Sequence, residues 1–399
     1  MQIGVYSEVG RLRAVLLHRP GRELERLAPD HLENMLFEDI PWVEKMSREH
    51  QEFAQILTET GCAVYYIEEL LLETLSQRPA SVERLIEQTL TLCGLQGTME
   101  AQAIEAHLSS LNPKHLCEAV ITGIEKQEIE FEPGRRPLSH YIRENNPFYI
   151  PPLANLYFTR DPAVVIGNTL SINVMKTQAR SRESALVEFL GEHHPLLAEN
   201  ASLHRFRPST GHTIEGGDVL VLNDRAVAVG CSTRTSPGAI EQLASRLFEN
   251  GFSEVLAVRI PSTRAYMHLD TVLTMVDRDA FTVFAGVENE ITVYRIEPDL
   301  TVKPLADLGE ALAHALGLRS VRLIRNSNGD ALSAAREQWN DSTNTLAVAP
   351  GKVITYNRNV NSNRELRSNG IEVIEIEGSE LVRGRGGPRC MSMPLLREA

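Results

Sequence analysis

The sequence predicts a repeated α/β fold interrupted by an all-helical insertion, and three observations predict it. An amphipathic helix closed by Gly and followed by a β-branched strand recurs along the chain. Apolar strand-like runs precede these helices, which makes about five strand–helix–strand units. One interval between units is too long by roughly 70 residues, and the excess carries helical periodicity.

The first unit joins the run Ala14 to Leu17 to a helix from Pro41, with Trp42, Met46, Phe53 and Ile56 on one face, closed by Gly61 before the strand Ala63 to Ile67. Gly suits that position because the residue after a helix commonly adopts a left-handed conformation in which a Cβ costs energy. Residues 69 to 146 then read as helix after helix (ELLLETL, SVERLIEQTL, MEAQAIEAHLSSL, KHLCEAVITGI) with Leu and Ile at i, i+3, i+4 spacing. PFYIPP at 147 to 152 closes them, so the predicted framework comprises residues 1–68 and 147–399 around a helical domain at 69–146. Leu170 to Ile172 precedes a helical segment from Glu183 to His194. Ala226 to Val229 precedes a helix opened by Ser236-Pro237, carrying Ile240, Leu243, Leu247 and Phe248 inward and ending at Gly251 before Val255 to Ile260. A helix ending at Gly317 leads to Ser320 to Ile324. Val353 to Tyr356, a short helix ending at Gly370, and Ile371 to Ile376 complete the pattern.

Composition narrows the function. With 40 Lys+Arg against 53 Asp+Glu, the 399 residues carry a formal net charge of −13, which argues against a phosphate-reading surface and hence against nucleic acid. No stretch approaches the ~20 apolar residues needed to span a bilayer, and MQIGVYSEVGRLR lacks the apolar core of a signal peptide. A cytoplasmic protein without membrane contact is expected. The five cysteines, at 62, 93, 117, 231 and 390, include no Cys-x-x-Cys pair, so neither a disulfide framework nor a structural metal site is expected.

Four polar clusters stand at the ends of strand-like segments, where a repeated α/β fold assembles its site. They are Asn155-Leu-Tyr-Phe158-Thr-Arg160-Asp161, His212-Thr-Ile-Glu215-Gly-Gly-Asp218, Met267-His268-Leu-Asp270, and Gly384-Arg385-Gly-Gly-Pro-Arg389-Cys390. Singly each has a bland explanation: a capping Asp, a turn, a core histidine. Cys62, Cys93, Cys117 and Cys231 lie in apolar contexts and read as buried small hydrophobes. Cys390 differs, because it follows a Gly-rich run with Arg383, Arg385 and Arg389, cations that favour the thiolate. One such run in an acidic chain does not make an RGG tail, and its glycines are wrongly spaced for a dinucleotide fingerprint. A cysteine protease or amidase would gather donors for an oxyanion, whereas these clusters supply Asp161, Glu215, Asp218 and Asp270. Carboxylates around a thiol suit a delocalised cation with a fork of N–H donors, a guanidinium.

The clusters, in this order, resemble arginine deiminases, and the resemblance runs from VYSEVGRLRAVLLHRPG through FEDIPW, NLYFTRDP, IEGGD, MHLDTVLTMVD and REQWND to SELVRGRGGPRCMSMP. It implies a five-bladed pseudo-symmetric α/β propeller, the pentein fold, with an inserted helical bundle. It also implies a hydrolase acting on the C–N bonds of L-arginine, without cofactor, commonly as a homo-oligomeric dimer or tetramer. By matching residue, Cys390 would be the nucleophile and His268 the proton donor and acceptor, with Glu215 beside it, and Asp161 and Asp270 would hold the guanidinium. Asp218 would support them. For substrate binding the resemblance points to Asn155, Phe158, Arg182, Arg234 and Arg385, with Arg180 close enough to Arg182 to be the match instead. Arg385 would move with the C-terminal loop. The chain departs from many relatives at Asn326-Ser-Asn-Gly-Asp330 and Asn173-Val174-Met175. Related activities on agmatine, methylated arginine or an amidino acceptor, and a silent arginine-binding protein, are the alternatives.

Overall fold

The computed structural model describes residues 2–131, 136–138, 146–205, 211–263, 265–326 and 330–398. The repeating unit is larger by one strand than the sequence pattern suggests. In each, a short first strand pairs antiparallel to a central strand, the chain crosses through a helix, and a third strand returns parallel to the central one. In the second unit these are Ala163–Ile166, Thr169–Ile172 and Ser202–Arg205, with the helix Ser181–His193 between the last two. The third unit has Val219–Val221, Ala226–Cys231 and Glu254–Arg259 around the helix Pro237–Glu249. Leu273–Asp277, Ala280–Val283 and Arg322–Arg325 form the fourth, with Leu308–Leu316 as its helix, and Leu346–Ala349, Lys352–Tyr356 and Glu372–Ile376 the fifth, around Val360–Ser368. The first unit is built from both ends of the chain. Its central strand Leu12–Leu17 pairs antiparallel with Met393–Arg397 and parallel with Ala63–Tyr66, across the helix Val43–Glu59.

The fourth unit's central strand, Ala280–Val283, is not among the runs read from the sequence, whereas the other four central strands and the helices fall where the hydrophobic pattern puts them. The antiparallel first strands escape it because they are three to five residues long and follow polar turns. A hairpin, Thr292–Ile296 and Val302–Leu305, is a further addition that extends the third sheet to five strands.

Four helices take up the first part of the 69–146 stretch, ahead of the strand Ile124–Glu125, the turn Lys126–Glu128, and 132–135 and 139–145, which lie outside the described residues: Ile67–Gln77, Ser81–Leu92, Met99–Ser110 and Pro113–Thr122. The first starts directly from the strand Ala63–Tyr66, two residues ahead of the predicted boundary. Thr98 and Asn112 cap the last two by accepting backbone N–H groups of Ala101 and His115. Leu71, Leu85, Ile104 and Leu116 pack in one continuous core with Leu186, Val187 and Leu190 of the helix Ser181–His193 and with Val164 and Leu170 of the second sheet. The helices thus share the core of the α/β body. Among the described residues no helix is long and apolar enough to cross a membrane.

Candidate active site

The segments leading into the first strands of all five units meet. They carry Asp161, Glu215 with Asp218, His268 with Asp270, Asp341 with Asn344, and Cys390, which are the four sequence clusters and a turn that follows from the REQWND motif and has no role in the sequence reading. Every one of these residues is buried.

Hydrogen bonds lock the turns to one another. The Asp161 carbonyl accepts from Gly216 N at 3.1 Å and from Asn173 Nδ2 at 2.8 Å, and its Oδ1 accepts from Gly217 N at 3.1 Å. Asp218 supports the histidine turn: Oδ1 accepts from Leu269 N at 2.8 Å and Oδ2 from Ser232 Oγ at 2.7 Å. Gly217 packs so closely that an added Cβ would lie 2.6 Å from His268 Nδ1, which accounts for glycine in the Glu-Gly-Gly-Asp turn. In the first departing segment, Asn173 props the Asp161 turn and the Val174 carbonyl accepts from Ile214 N at 3.0 Å. In the other, Asn326 is buried against Ala285 and Ala334, Asp330 caps the helix Ala331–Trp339, and 327–329 lie outside the described residues.

His268 lies between two carboxylates, with Nε2 2.7 Å from Glu215 Oε2 and Nδ1 3.8 Å from Asp161 Oδ1. Burial pushes its imidazolium down, but Asp161, the Glu215 hydrogen bond and Asp218 outweigh that and raise its pKa to about 9. Burial works against the Glu215 carboxylate, yet the His268 hydrogen bond and charge hold it to about 2. Asp218 and Asp341 are pushed up to about 7, in both cases mainly by burial. Asp161 Oδ2 receives Arg180 Nη1 at 2.6 Å, and Arg180 also reaches Glu183 at 2.8 Å. Asp270 Oδ2 receives Arg389 Nη1 at 2.7 Å and stands 3.6 Å from Cys390 Sγ, whereas Asp270 Oδ1 is buried with no hydrogen-bond partner among the described residues. Burial drives the Cys390 thiol well above its ordinary value; Asp270, Asp161 and Asp341 add to this and Arg389 opposes it. A cation between Asp161 and Asp270 would reverse part of the shift. All five cysteines are free thiols.

A small cavity opens onto Cys390, walled by Asn155, Phe158, Asp161, Arg234, His268 and Arg385. Asn155 Nδ2 donates to Met35 O at 2.7 Å and so holds the segment that brings Leu36 over the cavity. Arg234 reaches Glu215 at 3.4 Å, and Arg385 stacks on Trp339, 3.4 Å from the ring centroid. Of the two arginines left open, the Arg182 guanidinium donates to Pro151 O and Val120 O, and Arg180 is the one on the cavity wall. Arg180 stands at the N-cap of the helix Ser181–His193 and Arg182 in its first turn, and the two positions between them turn their side chains to different faces. Leu36, Met267 and Thr271 also line the cavity without a signal of their own in the sequence. Asp161, Glu215 and His268 offer ligand atoms within 4.8 Å of one another, close enough for a metal ion, but Arg180 and Arg234 already supply cations to the two carboxylates.

Comparison with known proteins agrees with this chemistry. The family model described as arginine deiminase matches residues 33–397. The arginine deiminase of Staphylococcus aureus (strain MRSA252) is 44% identical over 99% of this chain and 98% of its own length, and arginine deiminase 1 of Staphylococcus epidermidis matches equally. Among solved structures, a Pseudomonas aeruginosa DDAH mutant complexed with citrulline superposes with a TM-score of 0.54 at 14% identity, over 96% of this chain and 99% of that one. The Microseira wollei amidinotransferase SxtG gives 0.56 at 14% identity over 100% and 98%. Their pentein fold is the fold of this chain. Sequence likeness over nearly its whole length, with the thiol, the histidine and the carboxylates gathered at the meeting of five turns, makes the chain a member of the arginine deiminase family.

Proposed function

We propose that this protein is a cofactor-free arginine deiminase that hydrolyses L-arginine to L-citrulline and ammonia. The observation that carries the reading is a buried thiol 3.6 Å from a carboxylate whose second oxygen is unpartnered, beside a histidine held between two further carboxylates. A guanidinium held by Asp161 and Asp270 would present its carbon to Cys390 and, as a cation, ease ionisation of the thiol. Thiolate attack forms the S–C bond and a neutral tetrahedral adduct. His268, protonated below about pH 9, gives its proton to the departing nitrogen; the C–N bond breaks, ammonia leaves, and an S-alkylthiouronium remains on Cys390. The now neutral His268 takes a proton from water as its oxygen adds to the same carbon. Collapse of this second adduct breaks the C–S bond, restores the thiolate and releases citrulline, the last hydroxyl proton passing to the ammonia.

Glu215 keeps His268 oriented and charged. The amino-acid end of the substrate needs separate partners, and Arg180 and Arg234 on the cavity wall suit its carboxylate, with Asn155 and the Met35–Leu36 segment nearby. Arg385, which stacks on Trp339, is taken from the family resemblance to move with the C-terminal loop. Free cysteines and the acidic charge suit the cytoplasm, and a homo-oligomer is the assembly that the family resemblance favours.

The test is a citrulline assay with arginine, agmatine as the competing substrate, and three variants. Arginine turnover well above agmatine turnover is expected. Cys390→Ala should abolish it, Arg180→Ala should lower kcat/KM by about 10–100-fold through a lost charge-assisted contact, and Arg182→Ala should leave KM unchanged. Citrulline production that survives Cys390→Ala, or agmatine as the better substrate, would overturn the reading.

A further inference from the structure

Asn344 lies in the turn entering the fifth unit and has no accessible surface. Its side-chain amide is engaged twice by one residue: Oδ1 accepts from the backbone N–H of Cys390 at 2.9 Å, and Nδ2 stands 3.0 Å from Cys390 Sγ. The first contact fixes the sense of the second. A backbone N–H only donates, so the carbonyl oxygen must face it, and the NH2 group is left facing the sulfur. Among the described residues, Asn344 is the one hydrogen-bond donor to that sulfur, whose other polar neighbour is the Asp270 carboxylate.

The amide is built in from several sides. Asn344 N donates to Asp341 O at 3.0 Å, and Asp341 takes a left-handed φ of 57° that lets the turn close. Thr343, the preceding residue, donates from Oγ1 to Thr271 O at 2.6 Å and accepts on its carbonyl from Thr274 Oγ1 at 2.6 Å, tying this turn to the histidine turn. From the other side the Gly-rich run presses in so closely that a Cβ on Gly387 would lie 2.6 Å from Asn344 O and 2.8 Å from its Oδ1. Gly387 therefore keeps the cysteine loop against the amide.

We propose that Asn344 is a further catalytic residue, whose amide N–H stabilises the Cys390 sulfur as an anion when it attacks and again when it leaves. An N–H donor is worth more to a thiolate than to a thiol or thioether, and here it opposes the three carboxylates that burden the sulfur. In the first half-reaction the sulfur is the nucleophile; in the second it is the leaving group as the C–S bond breaks. A fixed donor serves both without rearranging. The proposal rests on the deiminase reading, and its test separates the two.

Asn344→Asp keeps the side chain's shape and the acceptor for Cys390 N–H but removes the donor to sulfur; Asn344→Ala removes the donor without adding charge. Alkylation of Cys390 by iodoacetamide, followed across pH by mass spectrometry of its peptide without substrate, reports the thiol alone, and citrulline kinetics report the reaction. The expected result is an alkylation midpoint displaced to higher pH in both variants, more in Asn344→Asp, with kcat lowered on the order of 10–100-fold and KM changed less than threefold. An unmoved midpoint in Asn344→Ala overturns the proposal, because any shift in Asn344→Asp would then be charge repulsion; so does kcat within threefold of wild type in Asn344→Asp. Should Asn344→Ala melt below the assay temperature, Asn344→Leu, which fills the same space with neither donor nor charge, takes its place under the same criteria, and kcat lowered without a midpoint shift counts against the proposal. A wild-type chain that makes no citrulline refutes the deiminase reading, while the alkylation midpoints still report on the donor.

Discussion

Two regions of the molecule use the same residue types to opposite ends. At the meeting of the five entry turns, Arg389 is 1% exposed and divides its guanidinium between Glu8, at 3.2 Å, and Asp270, at 2.7 Å. On the outer edge of the fourth unit, Arg325 pairs with Glu288 at 2.6 Å, but its side chain is 56% exposed. Distance does not separate the pairs; water does. Burial is the largest influence on Arg389, on Glu8, on His268 and on Cys390, whereas for Arg325 the hydrogen bond and charge of Glu288 come first. In the turns each group's charge state is thus set by its neighbours, which chemistry on a cation can use. On the edge, charge serves mainly solubility.

The largest effect that sharpens this contrast is on stability. Arg389→Ala leaves Glu8 and Asp270 buried beside a lost partner and should cost about 3–5 kcal/mol, whereas Arg325→Ala should cost no more than about 1 kcal/mol. Urea unfolding of the two variants measures both, and equal losses would show that burial does not separate the regions.

A smaller effect concerns pH. His268 has a folded pKa of about 9, above its ordinary 6.5, so its ionic contacts stabilise the fold fully below pH 6.5 and fade as pH rises through about 9. The same proton is the one donated to the leaving nitrogen. kcat/KM, which reports the free enzyme, should therefore stop rising at about pH 9, where loss of the His268 proton begins to offset the thiolate fraction that a thiol pushed well above its ordinary value still gains. A kcat/KM still rising at pH 10 would contradict the assignment of that proton.

The same contrast explains what was legible in the sequence. Helices such as Pro237–Glu249 and Val43–Glu59 have one buried face and announce themselves by period. The entry turns announce themselves by unusual polarity, which is why Asp161, Glu215, His268, Asp270 and Cys390 could be named from their motifs. The first strands could not: Val219–Val221 has three residues, buried on both sides, and shows no alternation. Arg180 and Arg182 share a helix terminus, and only the direction each side chain takes tells them apart. Asn344 is an uncharged residue in a Thr-Ser-Asn-rich stretch that reads as an ordinary loop. Its importance comes from a contact with a residue 46 positions away.

The most direct test of the central claim is to quench the wild-type chain in acid during turnover of arginine labelled at the guanidino carbon and to locate the label. Label on Cys390 alone, as arginine less one ammonia, and its loss as citrulline accumulates, is the predicted result; labelled citrulline formed with no label on Cys390 at any time would contradict it.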